Sequence, residues 1–290
     1  MYEEENTQLE KITDNVYTET KIRGCNPSIV FTTEGSVFID TAQWITTLLD
    51  MRKFALERGP IRYLINTEAH IDHIFGNHWF AGECPVIGHE KLDDIFWTVA
   101  NAECYDYSLD VIKRQDPQSL HLMPSREDYI VNKPQIYFSE RMSFVLGSHH
   151  FELYHTPGHS TGQTSIYVPE EKVLFVGDTI FSDCQTWLHS ADINQLLETL
   201  RFLRTFDADW IVPGHGPVVK KEYIDVQIAF IYKWISTVAN GIAKGWTKEE
   251  CIEKINFRDQ FPVDIGQDEM MDYIQTTNVV KVYDYLTGSV

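Results

Sequence analysis

The run Asn66-Thr67-Glu68-Ala69-His70-Ile71-Asp72-His73 constrains this chain more than any other stretch. It follows the apolar segment Tyr63-Leu64-Ile65 and places two carboxylates and two imidazoles within six residues. Such a cluster is costly to bury without a cation, because a charged group resists removal from water unless it is paired. Imidazole nitrogen and carboxylate oxygen suit zinc, iron or manganese, and a strand that ends in a tight turn lets alternate side chains converge. Taken alone, the stretch also reads as a polar loop opening a helix, with Asp72 as its cap. Three further segments repeat the setting. His159 follows Thr156-Pro157-Gly158 after the strand-like Phe151-Glu152-Leu153-Tyr154, Asp178 closes Val173-Leu174-Phe175-Val176-Gly177, and His215 closes Trp210-Ile211-Val212-Pro213-Gly214. A fold that satisfies all of them brings several strand ends to one edge. Glycine beside each ligand permits the close backbone approach that a crowded metal site needs.

With those segments in view, the sequence resembles the metallo-β-lactamase superfamily of metal-dependent hydrolases. The usual H-x-H-x-D-H signature stands here as Glu68-x-His70-x-Asp72-His73, and the later elements as Thr156-Pro157-Gly158-His159-Ser160, Gly177-Asp178 and Gly214-His215. The resemblance runs from about Val16 to Pro217. It implies one metal on Glu68, His70 and His159, a second on Asp72, His73 and His215, and Asp178 bridging them, with Asp72 and Asp178 as the catalytic carboxylates. Zinc is the metal the family suggests. Glu68, standing in place of a histidine, adds charge and a harder oxygen donor, which turns the preference toward iron or manganese.

An internal repeat supports the same architecture. Residues 28–41 match residues 165–179 with one insertion: apolar strand, acidic turn, apolar strand, then Asp-Thr. Each hairpin leads into a helical pattern, Trp44 to Arg58 and Asp192 to Phe206, and then into a strand that ends at a ligand. Asp192 with Gln195 reads as a capping box, and Leu196, Leu197, Leu200 and Leu203 form an apolar face. Two similar halves packed sheet to sheet predict an α/β, four-layer αββα sandwich, which the resemblance also implies. The repeat aligns Asp40 with Asp178, which makes Asp40 either a carboxylate that orients a ligand from behind or a plain turn residue.

The 290 residues read as one domain with a helical insertion at about 90–133 and a helical C-terminal extension at about 221–290. The insertion carries Phe96, Trp97, Tyr105, Tyr107 and Met123, interrupted by Pro117 and Pro124. These aromatics read as a lid and apolar pocket over the metals, or as the faces of helices packed on a sheet or a partner subunit. Trp97, Tyr105, Tyr107 and His189 are the candidate substrate contacts, His189 because it lies in a loop at the ligand-bearing edge. His89 and His155 read as structural hydrogen-bonders, His78 as a core or surface residue, and the adjacent His149 and His150 as exposed. The extension carries Ile224, Ile228, Ile231, Ile235 and Val238 at helical spacing, a capped segment from Thr247, and a last helix from Met270 to Leu286. It suits either completion of the pocket or a homodimer interface, a role open to the insertion too.

Composition narrows the partners. A net charge of -19, from 43 acidic and 24 basic residues, repels polyphosphate backbones, so no nucleic-acid partner is expected. A neutral or cationic small molecule is easier to reconcile with that field, which as readily reads as an aid to solubility alone. No apolar run approaches the roughly 18 residues of a membrane span. The opening Met1-Tyr2-Glu3-Glu4-Glu5-Asn6 lacks the basic and apolar regions of a signal peptide, which makes the cytoplasm the expected location. The five cysteines, none in a Cys-x-x-Cys pair, fit reduced thiols. Gly-x-Ser-x-Gly, Walker and dinucleotide motifs are absent. The expected activity is a dinuclear hydrolase that attacks a small ester, lactone, amide or related electrophile with a metal-bridging hydroxide. The alternative is a non-haem di-iron redox enzyme or oxygenase on the same scaffold.

Overall fold

The computed structural model describes residues 9–92 and 104–289; Phe96 and Trp97 lie outside the described residues. Thirteen strands fall into two sheets. The first runs in chain order: β1 Glu10–Lys11, β2 Val16–Thr18, β3 Ser28–Thr32, β4 Gly35–Ile39, β5 Ile61–Ile65, β6 Val86–His89 and β7 Ile136–Phe138. The second comprises β8 Arg141–Leu146, β9 His149–His155, β10 Thr164–Val168, β11 Val173–Phe181, β12 Trp210–His215 and β13 Val219–Lys220, in the order β13-β12-β11-β10-β9-β8. The helices are α1 Ile45–Leu56, α2 Ile71–Ile74, α3 Cys104–Gln115, α4 Ile193–Leu203, α5 Tyr223–Ala243, α6 Lys248–Lys254 and α7 Met271–Thr287.

The sequence repeat is a structural repeat. Each half has an antiparallel hairpin, β3-β4 or β10-β11, then a helix, α1 or α4, then a strand parallel to the second hairpin strand, β5 or β12. The strands are apolar on both faces, and alternation assigns those faces to different neighbours. Val30, Val37, Ile39 and Ile65 meet Phe151, Ile166, Phe175 and Val212 between the sheets. Their chain neighbours Ile29, Phe38 and Leu64 point outward against Leu48, Met51 and Ala55 of α1. On the far side, Leu174, Val176 and Ile211 face α4 and the C-terminal helices. The result is the expected four-layer sandwich.

Local signals hold with small differences. Asp192 caps α4 by accepting from the Gln195 backbone N–H at 3.0 Å, whereas the Gln195 side chain returns to the Asp192 carboxylate at 2.8 Å instead of to the backbone. Thr247 and Glu250 form a full capping box on α6. His149, expected exposed beside His150, is buried: β9 alternation turns its ring inward, where Nε2 meets Glu171 at 2.7 Å. His78 accepts the Ile130 N–H, and the rings of His89 and His155 stack while their Nε2 atoms donate to the Ser139 and Thr161 carbonyls. All five cysteines are buried free thiols. No described helix is long and apolar enough to cross a membrane.

The extension packs through Trp234, fully buried in α5, with its ring edge-on to Phe257 at 4.5 Å. Trp234→Ala removes one of the largest side chains of that layer and is expected to cost about 3–5 kcal/mol. Urea unfolding of the variant checks this, and a loss well under 1 kcal/mol would mean that the extension contributes little to the core.

Candidate metal centre

The cluster forms where β5, β9, β11 and β12 end. Asn66 to His70 is an extended segment after β5, and α2 then turns Asp72 and His73 back toward it. His159 follows β9, while Asp178 lies within β11 and His215 ends β12. Two glycines make the approach possible. A Cβ at Gly214 would lie 2.0 Å from Asp178 Oδ1, and Gly177 holds φ at +49° where a Cβ would strike Gln163 and Thr67. Any side chain at Gly214 would displace the carboxylate.

Asp178 sits between two sets of side chains. Its Oδ1 lies 3.1 Å from His73 Nε2 and 3.3 Å from His215 Nε2, and its Oδ2 lies 3.4 Å from His159 Nε2 and 4.0 Å from His70 Nδ1. Glu68 Oε2 is 2.6 Å from His70 Nδ1 and 4.0 Å from His159 Nε2, and Asp72 Oδ2 is 3.4 Å from His215 Nε2. Among the described residues, ligand-type atoms thus gather in two groups at this edge: Glu68, His70, His159 and Asp178, and Asp72, His73 and His215. A third, Cys25, Asp40 and His73, lies behind them. Every metal ligand expected from the sequence is brought to this site.

Three histidines are oriented alike. His73 Nδ1 meets Asp40 Oδ2 at 2.8 Å, His215 Nδ1 meets Asp264 Oδ2 at 2.9 Å, and His159 Nδ1 donates to the Trp187 carbonyl at 3.1 Å. A carbonyl only accepts, so His159 carries its proton on Nδ1 and turns the Nε2 lone pair toward Glu68 and Asp178. The same arrangement at His73 and His215 is the one by which outer partners fix a metal-binding imidazole. Asp40 does this from a left-handed backbone, φ +55°, and its carboxylate also accepts the Thr67 backbone N–H at 2.8 Å and hydroxyl at 2.6 Å. Of the two readings of Asp40, a ligand-orienting carboxylate is the one the geometry supports.

The charge balance calls for a cation. Glu68 is fully buried, and its two oxygens, His73 Nε2 and Asp178 Oδ1 find no partner unless an imidazole carries a proton to them, as His70 Nδ1 can from 2.6 Å. Buried polar atoms are ordinarily satisfied, and these four face one another. Burial alone would push the Asp178 carboxyl up, but the charges of His215 and His73 hold it well below the usual range. Burial opposes a proton on His70, yet the charge of Glu68, with those of Asp178 and Asp72, lifts it to about 9. Against burial, His73 is raised by Cys25 and then by Asp178, Asp40 and Glu68, and His215 by Asp178 and Asp264, whereas burial lowers His159. Protons on imidazole are the metal-free compensation for these carboxylates, and the residues present fit divalent ions in their place.

A cavity of about 220 Å3 opens over this edge. His189 and Tyr107 line it, as expected. His189 contacts the rings of His70, His159 and Trp187, and burial together with the charges of His159 and His70 takes it down to about 4, so it is neutral at pH 7. Tyr105 does not reach the cavity. Its hydroxyl donates to the Pro124 carbonyl at 2.8 Å and its ring packs on Tyr129, so it stabilises the insertion instead. Met123 packs against the core. Trp97 is outside the described residues.

Asp264 and Arg23 are residues of the site that no motif announced. Both are buried, Asp264 behind His215 and Arg23 in the cavity wall. The one available signal for Asp264 was a carboxylate inside Phe261-Pro262-Val263-Asp264-Ile265-Gly266, an otherwise apolar run ending at glycine. The extension therefore completes the site.

Comparison with known proteins agrees with this geometry. The family model described as the metallo-beta-lactamase superfamily matches residues 21–215. The chain belongs to that superfamily. Like its members it is a metal-dependent hydrolase. A beta-lactamase-like protein 2 homolog of Caenorhabditis elegans is 25% identical over 235 residues, covering 75% of this chain and 68% of the relative. Among solved structures, a metallo-beta-lactamase from Pontibacter korlensis aligns with a TM-score of 0.58 and 19% identity, over 77% of this chain and 97% of its own. A stereoselective inverting sec-alkylsulfatase from Pseudomonas sp. aligns with a TM-score of 0.67 and 17% identity, over 98% of this chain and 51% of its own. The family match ends at His215, so Asp264 lies beyond it.

Asp264→Ala is expected to weaken divalent-metal affinity about 10–100-fold, because His215 loses the group that fixes its ring. Competition against a chelating dye measures it, with circular dichroism confirming the fold. Because His70 holds a proton up to about pH 9, metal must displace it. Affinity therefore rises with pH up to that point. Calorimetry at pH 7 in two buffers of different ionisation enthalpy is expected to show protons released on metal binding.

Proposed function

We propose that this chain is a dinuclear metal-dependent hydrolase acting on a small-molecule ester, lactone, amide or related electrophile. One observation carries the reading: the two oxygens of the buried Asp178 carboxylate face different histidine sets, Oδ1 toward His73 and His215, Oδ2 toward His159 and His70. A carboxylate so placed serves two ions. Glu68, His70 and His159 would hold one, and Asp72, His73 and His215 the other, with Asp178 shared. When bound, the ions supply an acidified water as nucleophile and a Lewis acid for the oxygen that gains charge.

The chain's own groups supply the rest. Asp40, Asp264 and the Trp187 carbonyl hold three imidazoles in one tautomer, so the site needs little reorganisation during reaction. Asp72 is the most exposed carboxylate of the set, with 23% of its side chain accessible against 6% for Asp178 and none for Glu68. Neutral His189 can hydrogen-bond an electrophile in the cavity without adding charge.

Glu68 favours a second reading, a di-iron redox centre, because its hard oxygen donors raise the carboxylate content of the first ligand group. Elemental analysis and activity separate the two. Under the hydrolase reading, two divalent ions per chain are expected, and Asp178→Asn and His215→Ala each bring ester, lactone or amide hydrolysis to background while secondary structure persists. Hydrolysis that survives both substitutions sinks the hydrolase. Two irons with oxygen consumed during turnover would put the redox reading in its place.

A further inference from the structure

The cavity over the metal edge has a second chemical character. Arg23, in the connection between β2 and β3, lines it and is 2% exposed. A guanidinium buried to that extent ordinarily has a close anionic partner. Here its hydrogen bonds go to neutral acceptors, the Gly266 carbonyl and the Tyr107 hydroxyl at 3.2 Å. Among the described residues the nearest carboxylate, Glu269, is 3.7 Å away, half exposed, and equally distant from Arg114. The fork of five N–H donors is therefore only partly used among the described residues, and its charge is only partly offset.

A second donor points the same way. Gln43 also lines the cavity, is 1% exposed, and its Nε2 has no acceptor. The segments that carry the two meet at Gly24, where a Cβ would lie 3.4 Å from the Gln43 Cβ and 3.2 Å from the Asp72 Cβ. Arg23 and Gln43 thus flank the backbone beside a metal-edge carboxylate. The guanidinium is held in place by the C-terminal loop, whose Gly266 carbonyl also accepts from Gln115 Nε2 at 2.8 Å.

We propose that Arg23 and Gln43 form an oxyanion subsite that takes a carboxylate carried by the substrate away from the bond to be cleaved. The inference rests on the hydrolase reading and narrows its substrate class. Arg presents paired N–H groups that match a carboxylate in bidentate fashion, and an amide N–H2 beside it supplies a further donor. The overall charge of -19 suggested a neutral or cationic substrate, but the field that acts on a bound ligand is set by the groups that line its cavity. Among the described residues that line it beside the Asp72 and Asp178 carboxylates, the guanidinium of Arg23 is only partly paired and Gln43 Nε2 has no acceptor.

The test compares two esters with the same leaving group and acyl length, neutral 4-nitrophenyl butyrate and anionic mono-4-nitrophenyl succinate. Wild type, Arg23→Gln and Arg23→Lys are assayed with full metal, and succinate binding to each is measured by calorimetry. Arg23→Gln is expected to lose at least ~10-fold more kcat/KM on the anionic ester than on the neutral one, mainly through KM, since a hydrogen bond to a charged group is worth about that factor or more. Arg23→Lys recovers part of the loss, and succinate affinity follows the same order. Should Arg23→Gln fail to fold, Gln43→Leu is expected to move both readouts in the same direction by a smaller factor. Equal losses on both esters, or succinate binding unchanged by the substitutions, overturn the subsite. If metal is bound and neither ester turns over, ester hydrolysis falls, and the succinate measurement alone decides the subsite.

Discussion

The constraint on which this structure depends is the burial of Asp178 and Glu68 among imidazoles, with oxygens that only a cation or a protonated imidazole can answer. A folded chain tolerates such an arrangement only if a cation answers it, and much of the architecture serves to hold the groups in place until one does. The ends of β5, β9, β11 and β12 bring the ligands together, and the two sheets fix where those ends lie. Gly214 and Gly177 remove the atoms that would stand in the way. The strained backbone of Asp40 places its carboxylate behind His73 and under Thr67 at once, a case of local strain kept where surrounding structure over-determines it.

The fold was largely legible because its signals are local and periodic. Two-faced apolar strands, acidic hairpin turns and amphipathic helices announce themselves within short windows, and the duplication of residues 28–41 at 165–179 gave the layer order as well. The ligands were legible for a related reason: each closes an apolar run beside glycine or within one tight turn. Tyr105 and Tyr107, two residues apart on α3, show where pattern stops. One reaches the cavity and the other hydrogen-bonds within the insertion, and only tertiary packing distinguishes them. His149 was misread because its partner, Glu171, belongs to another hairpin.

Arg23 was not legible as a site residue, and Asp264 only as a carboxylate in an apolar run, since what places each at the site is a partner far along the chain. Asp264 is 49 positions from His215, and Arg23 lies 243 positions from the carbonyl that steadies it. Neither spacing repeats anything. The pairing of Asp40 with His73 and of Asp264 with His215 nevertheless gives the second ligand group two imidazoles supported in the same way, one from inside the repeat and one from outside it. Related ends were reached from unrelated stretches of sequence.

The position of Asp264 has a consequence for the order in which the chain acquires its chemistry. Synthesis runs from the N-terminus, and domains begin to fold as they emerge. All seven ligands and every described strand but β13 are in place by His215, yet that imidazole waits a further 49 residues for the carboxylate that sets its tautomer. A nascent chain paused in α5 would hold a sandwich with a nearly finished but unlocked site, open to whichever ion it met. His215 therefore gains its fixed orientation only once the loop that carries Asp264 has docked.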